Sequence, residues 1–274
     1  MKFLKGLLAH SSLLLMSLFF LIPLFWMLST SLKTPEQMFL PQVKWIPEPI
    51  DFSNYINAFK YVDLFNAIKN TVFLAAMNVI GVLISCSLAA YAFSVLRWKY
   101  RELFFYITLS TMMLPEMVTL IPQFALFQKL GWYGTYLPLI APCFCGNAFY
   151  IFLLRQFFLS IPRELYEAAS IDGCSEFNIY KNIYLKLSIP VLSVVALFQF
   201  LYTWNDLMKP SVYLIDKEQY TLSIALQQFK AQHGGTEWAL LMAATAVVIL
   251  PIVMIFFLAQ KTFVQGIAMT GIKE

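Results

Sequence analysis

Six long apolar runs restrict this chain more than any short motif does. They cover about Leu13–Leu32, Thr71–Leu96, Leu103–Ile121, Leu137–Leu154, Leu187–Trp204 and Ala239–Ala259, and the one charged residue inside them is Glu116, just after Pro115. A helix that crosses hydrocarbon needs roughly 20 apolar residues at about 1.5 Å each. Each run meets or nearly meets that length. The sequence therefore predicts an all-α polytopic membrane protein with six transmembrane helices, organised as a single transmembrane domain over residues 1–274. Pro115, Pro138, Pro142 and Pro190 fall where they can kink or trim these helices. With 60% hydrophobic and only 12% charged residues, the chain lies outside the soluble globular class.

An even number of spans puts both termini on one side, and the distribution of Lys and Arg selects the side. With the termini in the cytosol, 11 of the 19 Lys and Arg residues lie inside, most densely in Arg97-Trp98-Lys99-Tyr100-Arg101. Lys2 and Lys5 ahead of the first run imitate a signal peptide. A cleavable signal carries about 7–15 apolar residues, whereas Leu13–Leu32 is longer and includes the bulky Phe19, Phe20, Phe25 and Trp26. Trp26, Trp98, Trp132, Tyr133 and Trp204 sit near expected interfaces, as membrane anchoring by contact with lipid requires.

Between the fourth and fifth runs lies a polar segment with its own helical punctuation. Pro162 suits a first turn and Glu164 the positive end of a helix, so residues Arg163 to Ile171 read as two turns entered from Ser160. Gly173 ends that helix, and Ser175 followed by Glu176 starts another, on which Phe177, Tyr180, Tyr184 and Leu187 recur at spacings of three and four and share one face. The result is a helix-turn-helix elbow over about residues 160–187. Ala168 and Ala169 carry almost no side chain, so another protein's surface can approach their backbone, and Glu167 offers a carboxylate to a basic partner. The plainer reading pairs Glu167 with Arg163 one turn earlier, in the weaker Arg-before-Glu order.

The chain carries no G-x-x-x-x-G-K-[ST] phosphate loop, no cluster of His and Cys with metal-ligand spacing, and no nucleophile beside a plausible base. His10 and His233 fall on opposite sides of the membrane in this topology. Cys86, Cys143 and Cys145 lie in spans and Cys174 in the elbow, which leaves no extracellular disulfide framework. The expectation is a non-catalytic subunit with no metal and no cofactor of its own, and with no nucleic-acid partner.

The elbow and several flanking strings resemble the permease subunits of binding-protein-dependent ABC importers, in the carbohydrate-uptake branch that includes the smaller maltose-type subunit. That family's signature is E-A-A-x-x-x-G followed after nine residues by I-x-L-P. Glu167, Ala168, Ala169, Gly173, Ile183 and Leu185 match it, Lys186 stands where proline is usual, and Pro190 matches a second proline four residues later. Thr30-Ser31-Leu32-Lys33-Thr34-Pro35-Glu36, Ala89-Ala90-Tyr91-Ala92-Phe93, Met113-Leu114-Pro115 with Ile121-Pro122, Thr203-Trp204-Asn205-Asp206 and the tail from Phe263 are similar to the family's other landmarks, in order.

The resemblance implies a division of labour in a bacterial or archaeal cytoplasmic membrane. A homologous second permease would complete the pathway, two cytosolic ATPase subunits would bind ATP and magnesium, and an extracytoplasmic solute-binding protein would deliver a sugar or oligosaccharide. It assigns ATPase docking to Glu167, Ala168, Ala169, Asp172 and Gly173, and an ATPase-contacting tail to Gly271, Ile272 and Lys273. It also implies that His233, Gly234, Gly235 and Thr236, just before the sixth run, contact the binding protein, although Gly234-Gly235 also reads as a simple turn. Pro35, Pro41, Pro47 and Pro49 with Trp45 make the stretch after the first run an extended surface segment. Asn78 and Gln199 have two readings, as pathway groups or as interhelical hydrogen-bond partners, the second being the commoner. The competing functions are a self-sufficient secondary transporter or channel, or an importer of glycerol phosphate or another polyol-like solute.

Overall fold

The computed structural model describes residues 2–38, 40–42, 44–230 and 236–271, and among them there is helix and no strand. Four helical stretches are long and apolar enough to cross a membrane, and two bent pairs raise the number to six. The principal helices are α1 (Lys2–Ser31), α2 (Leu64–Ser94), α3 (Arg101–Ser110), α4 (Glu116–Lys129), α5 (Ala148–Ser160), α6 (Arg163–Ile171), α7 (Ile189–Asn205) and α8 (Trp238–Gly271). On α1 the bulky side chains point outward, Phe20 being 74% exposed, which is favourable where the surroundings are apolar, as hydrocarbon is.

Three spans depart from the expected outline, each where proline or glycine interrupts the ladder. The third is not one helix over Leu103–Ile121, because α3 runs through a 3₁₀ turn at Thr111–Met113 and then meets α4 at an angle of 100°. Pro115 forces Leu114 into extended backbone, with ψ at 115°, since the α conformation before a proline clashes with its ring. In the fourth span, Leu137–Ile140 passes into a 3₁₀ turn, Ala141–Cys145, before Gly146. Asn147 then caps α5, its side chain accepting from the backbone amides of Phe149 and Tyr150. The fifth bends by 78° at Ser188, between Glu176–Leu187 and α7, where Pro190 cannot continue the preceding helix. The segment after α1 also contains one helical turn, Pro35–Met38, within the stretch expected to be wholly extended.

The contacts divide into two compact units, Met1–Ala67 with Ile224–Pro251 and Ile68–Ser223 with Ile252–Glu274. In the first, Asn54 Nδ2 donates to the carbonyls of Ser31 and Lys33 at 3.1 and 2.8 Å, closing the exit of α1. Trp45 lies edge-on to Trp26 at 5.2 Å, and Tyr61 stacks on Phe229 at 5.2 Å. In the second, a core of Val82, Cys86, Tyr91, Leu154, Phe158 and Tyr184 joins α2, α5 and the elbow. Gly81 lets the ring of Phe144 lie on the backbone of α2, where a Cβ would come within 2.8 Å of it.

One charged side chain ties three helices of this unit. Arg155, buried on α5, donates Nε–H to the Phe93 carbonyl at 3.0 Å and Nη2–H to both Glu102 oxygens at 2.9 Å. Its guanidinium also stands 4.0 Å from the centre of the Phe105 ring. Hydrogen bonds to charged groups contribute roughly 1.5–3 kcal/mol each when a partner is left unsatisfied. Arg155→Met should therefore destabilise the protein by about 1–3 kcal/mol, read as a lower thermal midpoint in detergent. Glu102→Gln should cost less, because the Glu102 side chain is 46% exposed and Arg155 keeps the Phe93 carbonyl.

Candidate docking elbow and membrane cavity

The elbow is built from local chemistry. Its first helix, α6, ends in a Schellman motif: the Gly173 amide donates to the Ser170 carbonyl at 3.1 Å and the Cys174 amide to the Ala169 carbonyl at 3.0 Å. Gly173 adopts φ +77°, the left-handed conformation that disfavours any side chain. Ser175 caps the next helix by accepting from the Asn178 amide. That helix runs Glu176–Ile179, then widens into a π-turn over Tyr180–Tyr184 before Leu185–Leu187.

The widened turn alters which residues share a face. Ile179, Tyr180 and Tyr184 are buried, whereas Phe177 is 63% exposed and Leu187 is exposed as well. Regular spacing of three and four predicts one common face for Phe177, Tyr180, Tyr184 and Leu187; Phe177, ahead of the π-turn, keeps its ring 6.0 Å from that of Tyr180 at the exposed edge, and the extra residue of the turn moves Leu187 off the face. The two alanines part in the same way. Ala168 is exposed, while Ala169 is buried in the chain's own core.

Glu167, Asp172 and Gly173 are exposed beside Ala168. Glu167 does pair with Arg163, at 3.2 Å, but both side chains are about half exposed or more, and such pairs contribute about 0–1 kcal/mol. The pairing therefore leaves the carboxylate open to a stronger partner. Ile171, at 86% exposure, and Phe177 add apolar area to this surface. Sequence reasoning missed both as surface groups; the one signal available was Ile171 standing directly before the turn at Asp172-Gly173. Within the elbow Tyr166 donates to Glu176 Oε1 at 2.6 Å, and that bond raises the phenol above its ordinary range.

A second polar group lies among the spans. Asn78 Nδ2 and Gln199 Nε2 both donate to Thr203 Oγ1, at 3.2 and 3.1 Å. Asn78 thus joins α2 to α7, which is the interhelical role. Both also line a cavity of about 50 Å³ with Gln123, Tyr202, Asp206 and Lys209. The buried Asn78 Oδ1 has no protein partner there, and the space suits one or two water molecules or hydroxyl groups. At its edge Lys209 pairs with Glu116, and Tyr202 donates to the same carboxylate. The lone charge expected in the third span is thereby neutralised.

Other expected site residues fall elsewhere. Thr236 is half-buried, and its carbonyl accepts from the Trp238 amide at 2.9 Å; His233, Gly234 and Gly235 lie outside the described residues. Gly271 is the last residue of α8, and Ile272 and Lys273 lie outside the described residues. Among the described residues no three His, Cys, Asp or Glu side chains come together as a metal site.

Residues 78–269 match the family described as "Binding-protein-dependent transport system inner membrane component". The chain is 33% identical over 257 residues to the "Probable ABC transporter permease protein YurM" of Bacillus subtilis (strain 168), covering 92% of this chain and 83% of that protein. It is 32% identical over 228 residues to the "Arabinooligosaccharides transport system permease protein AraQ" of Halalkalibacterium halodurans, covering 83% of this chain and 81% of that protein. Among solved structures, a chain of a bacterial ABC transporter involved in the import of the acidic polysaccharide alginate superposes with a TM-score of 0.84 at 26% identity. That match covers 95% of this chain and 96% of the other.

The different burial of the two alanines yields a direct test. Ala169→Leu should overpack the core and cost about 1–3 kcal/mol, whereas Ala168→Leu should stay within about 0.5 kcal/mol of wild type. Thermal unfolding of the two purified variants in detergent reads the difference.

Proposed function

The chain belongs to the binding-protein-dependent transport system inner membrane components, and from that premise we propose that it is the membrane-spanning permease subunit of an ATP-driven importer for a sugar or oligosaccharide. The observation that carries the coupling role is the elbow, where Glu167, Ala168, Asp172 and Gly173 stand exposed on a capped helix whose inner face is anchored in the protein's core. The sugar assignment rests on relatives such as the arabino-oligosaccharide permease.

In this reading the whole chain, 1–274, acts as one transmembrane domain with both termini in the cytosol. It pairs with a homologous permease, and two ATPase subunits dock on the elbows. Those subunits hold ATP and magnesium; this chain supplies no catalytic group. Their closure displaces α6, and the displacement passes to the spans packed on it, so that the pathway opens alternately to each side. Ala169 serves from beneath, holding α6 to the core while Ala168 leaves room for the partner. Ile171 and Phe177 extend the docking surface. On the far side, His233, Gly234, Gly235 and Thr236 meet the binding protein, and Gly271, Ile272 and Lys273 approach the ATPases. Asn78 and Gln199 line the pathway's wall while joining its helices.

Two outcomes test this reading. Glu167→Ala should leave folding within about 0.5 kcal/mol of wild type yet reduce sugar-stimulated ATP hydrolysis by the reconstituted complex; unchanged hydrolysis would remove the docking role. Replacing His233 to Thr236 with a Ser/Ala segment of equal length should lower maximal uptake without reordering which saccharides compete. A new rank order would place selectivity in this loop.

A further inference from the structure

One carboxylate in the elbow is held from two sides. Glu176 accepts from Tyr166 Oη at 2.6 Å through Oε1 and from Tyr91 Oη at 2.8 Å through Oε2. Tyr166 stands on α6, and Tyr91 on the last turn of α2. Glu176 opens the helix that follows Gly173. The two helices of the elbow and the end of α2 thus meet on one side chain. Tyr91 is itself wedged, buried, between the ring edges of Tyr180 and Tyr184 at 5.3 and 5.2 Å. Tyr180 in turn shares a hydrogen bond with Ser87 on α2 at 2.7 Å.

We infer that Glu176 is the strut through which movement of the docking helix reaches the span Leu64–Ser94, with Tyr166 and Tyr91 as its two ends. Bonds to an ionised acceptor are short and about twice as strong as neutral ones. Because the two oxygens serve different helices, α6 cannot shift against α2 without breaking one of these bonds or carrying α2 with it. The Tyr180–Ser87 bond and the packing of Tyr180 and Tyr184 on Tyr91 tie the second elbow helix to α2 as well, whereas the Glu176 bonds also take hold of α6. The turn at Asp172–Ser175 is exposed, and Arg163–Glu167 lies within α6 and spans no joint. These are positioning residues, since none touches a transported solute. The proposal rests on the coupling role given to the elbow above, and goes beyond it by naming the link.

The experiment uses the complete complex of both permeases, the ATPases and the binding protein in liposomes. It measures solute imported per ATP hydrolysed for Tyr91→Phe, Tyr166→Phe, the double variant and Glu176→Ala. Each Tyr→Phe change removes one hydroxyl and keeps the ring, so assembly and thermal midpoint should stay close to wild type. The ratio should fall about fivefold or more, the lower range of a coupling between distant sites. The double variant should be no worse than either single one, because losing either end disengages the strut. Should Glu176→Ala fail to assemble, the two Tyr→Phe variants decide the matter. A wild-type ratio in both would overturn the proposal, as would losses that multiply in the double variant. The wild-type complex keeps the two readings apart: absence of ATP-driven uptake there refutes the importer reading, whereas normal wild-type coupling with unaffected Tyr→Phe variants refutes only the strut.

Discussion

Hydrocarbon offers no partner to a backbone amide or carbonyl, and the arrangement of this chain follows from that constraint. Continuous helix meets it without help. An interruption needs a donor or acceptor from elsewhere, and in the fourth span the structure supplies them. The Asn147 side chain takes the first amides of α5. Ser85 donates to the Cys143 carbonyl at 2.9 Å beside the 3₁₀ turn, and the Asn147 amide reaches the Cys86 sulfur at 3.2 Å. The Phe93 carbonyl, near the end of α2, takes Arg155. In the fourth span, then, neighbouring side chains complete the break, and two of them, Ser85 and Cys86, come from α2, which runs unbroken for 31 residues.

The elbow obeys the opposite regime, in which water satisfies the backbone and packing must hold the shape. Magnitudes decide what does so. The surface pair Arg163–Glu167 contributes about 0–1 kcal/mol, too little to orient a helix. Burying an aromatic or large aliphatic side chain contributes roughly 1.5–3 kcal/mol, and Ile179, Tyr180 and Tyr184 are all buried beneath the elbow. Edge-to-face contacts of Tyr184 with Tyr91 and Phe158 add direction to that burial.

Much of this was legible in the residues. Apolar length marked the membrane-crossing stretches, and Pro162, Gly173 and Ser175 marked where α6 begins, where it ends and where the next helix starts, because those residue types limit backbone geometry by themselves. Pro115 and Pro190 likewise announced the bends. Their angles, 100° and 78°, were not legible, since a proline interrupts a helix without specifying where the chain goes next. The π-turn was hidden for a related reason. Nothing in Tyr180-Lys181-Asn182-Ile183-Tyr184 forbids an ordinary turn, so the residues themselves do not announce the wider one. Ala168 and Ala169 carry the same side chain, so only the position of the core could separate the exposed one from the buried one. For Asn78 and Gln199 the sequence posed pathway against packing; Thr203 accepts from both, across helices from Asn78 and within α7 from Gln199, which is the packing role.

The small side chains on the outer face of α6 then have a physical reason. A surface that had to hold itself in place would need bulk. Here the holding is done one layer below, by Ala169 and the tyrosines, and the outer layer consists of Ala168, a turn glycine, two carboxylates and the exposed Ile171 and Phe177. The same division explains why the exposed Ile171 and Phe177 do not collapse inward: the inward positions are already filled, and the left-handed turn at Gly173 fixes the direction in which the chain leaves α6. What remains outside is a partly apolar step with two carboxylates beside it.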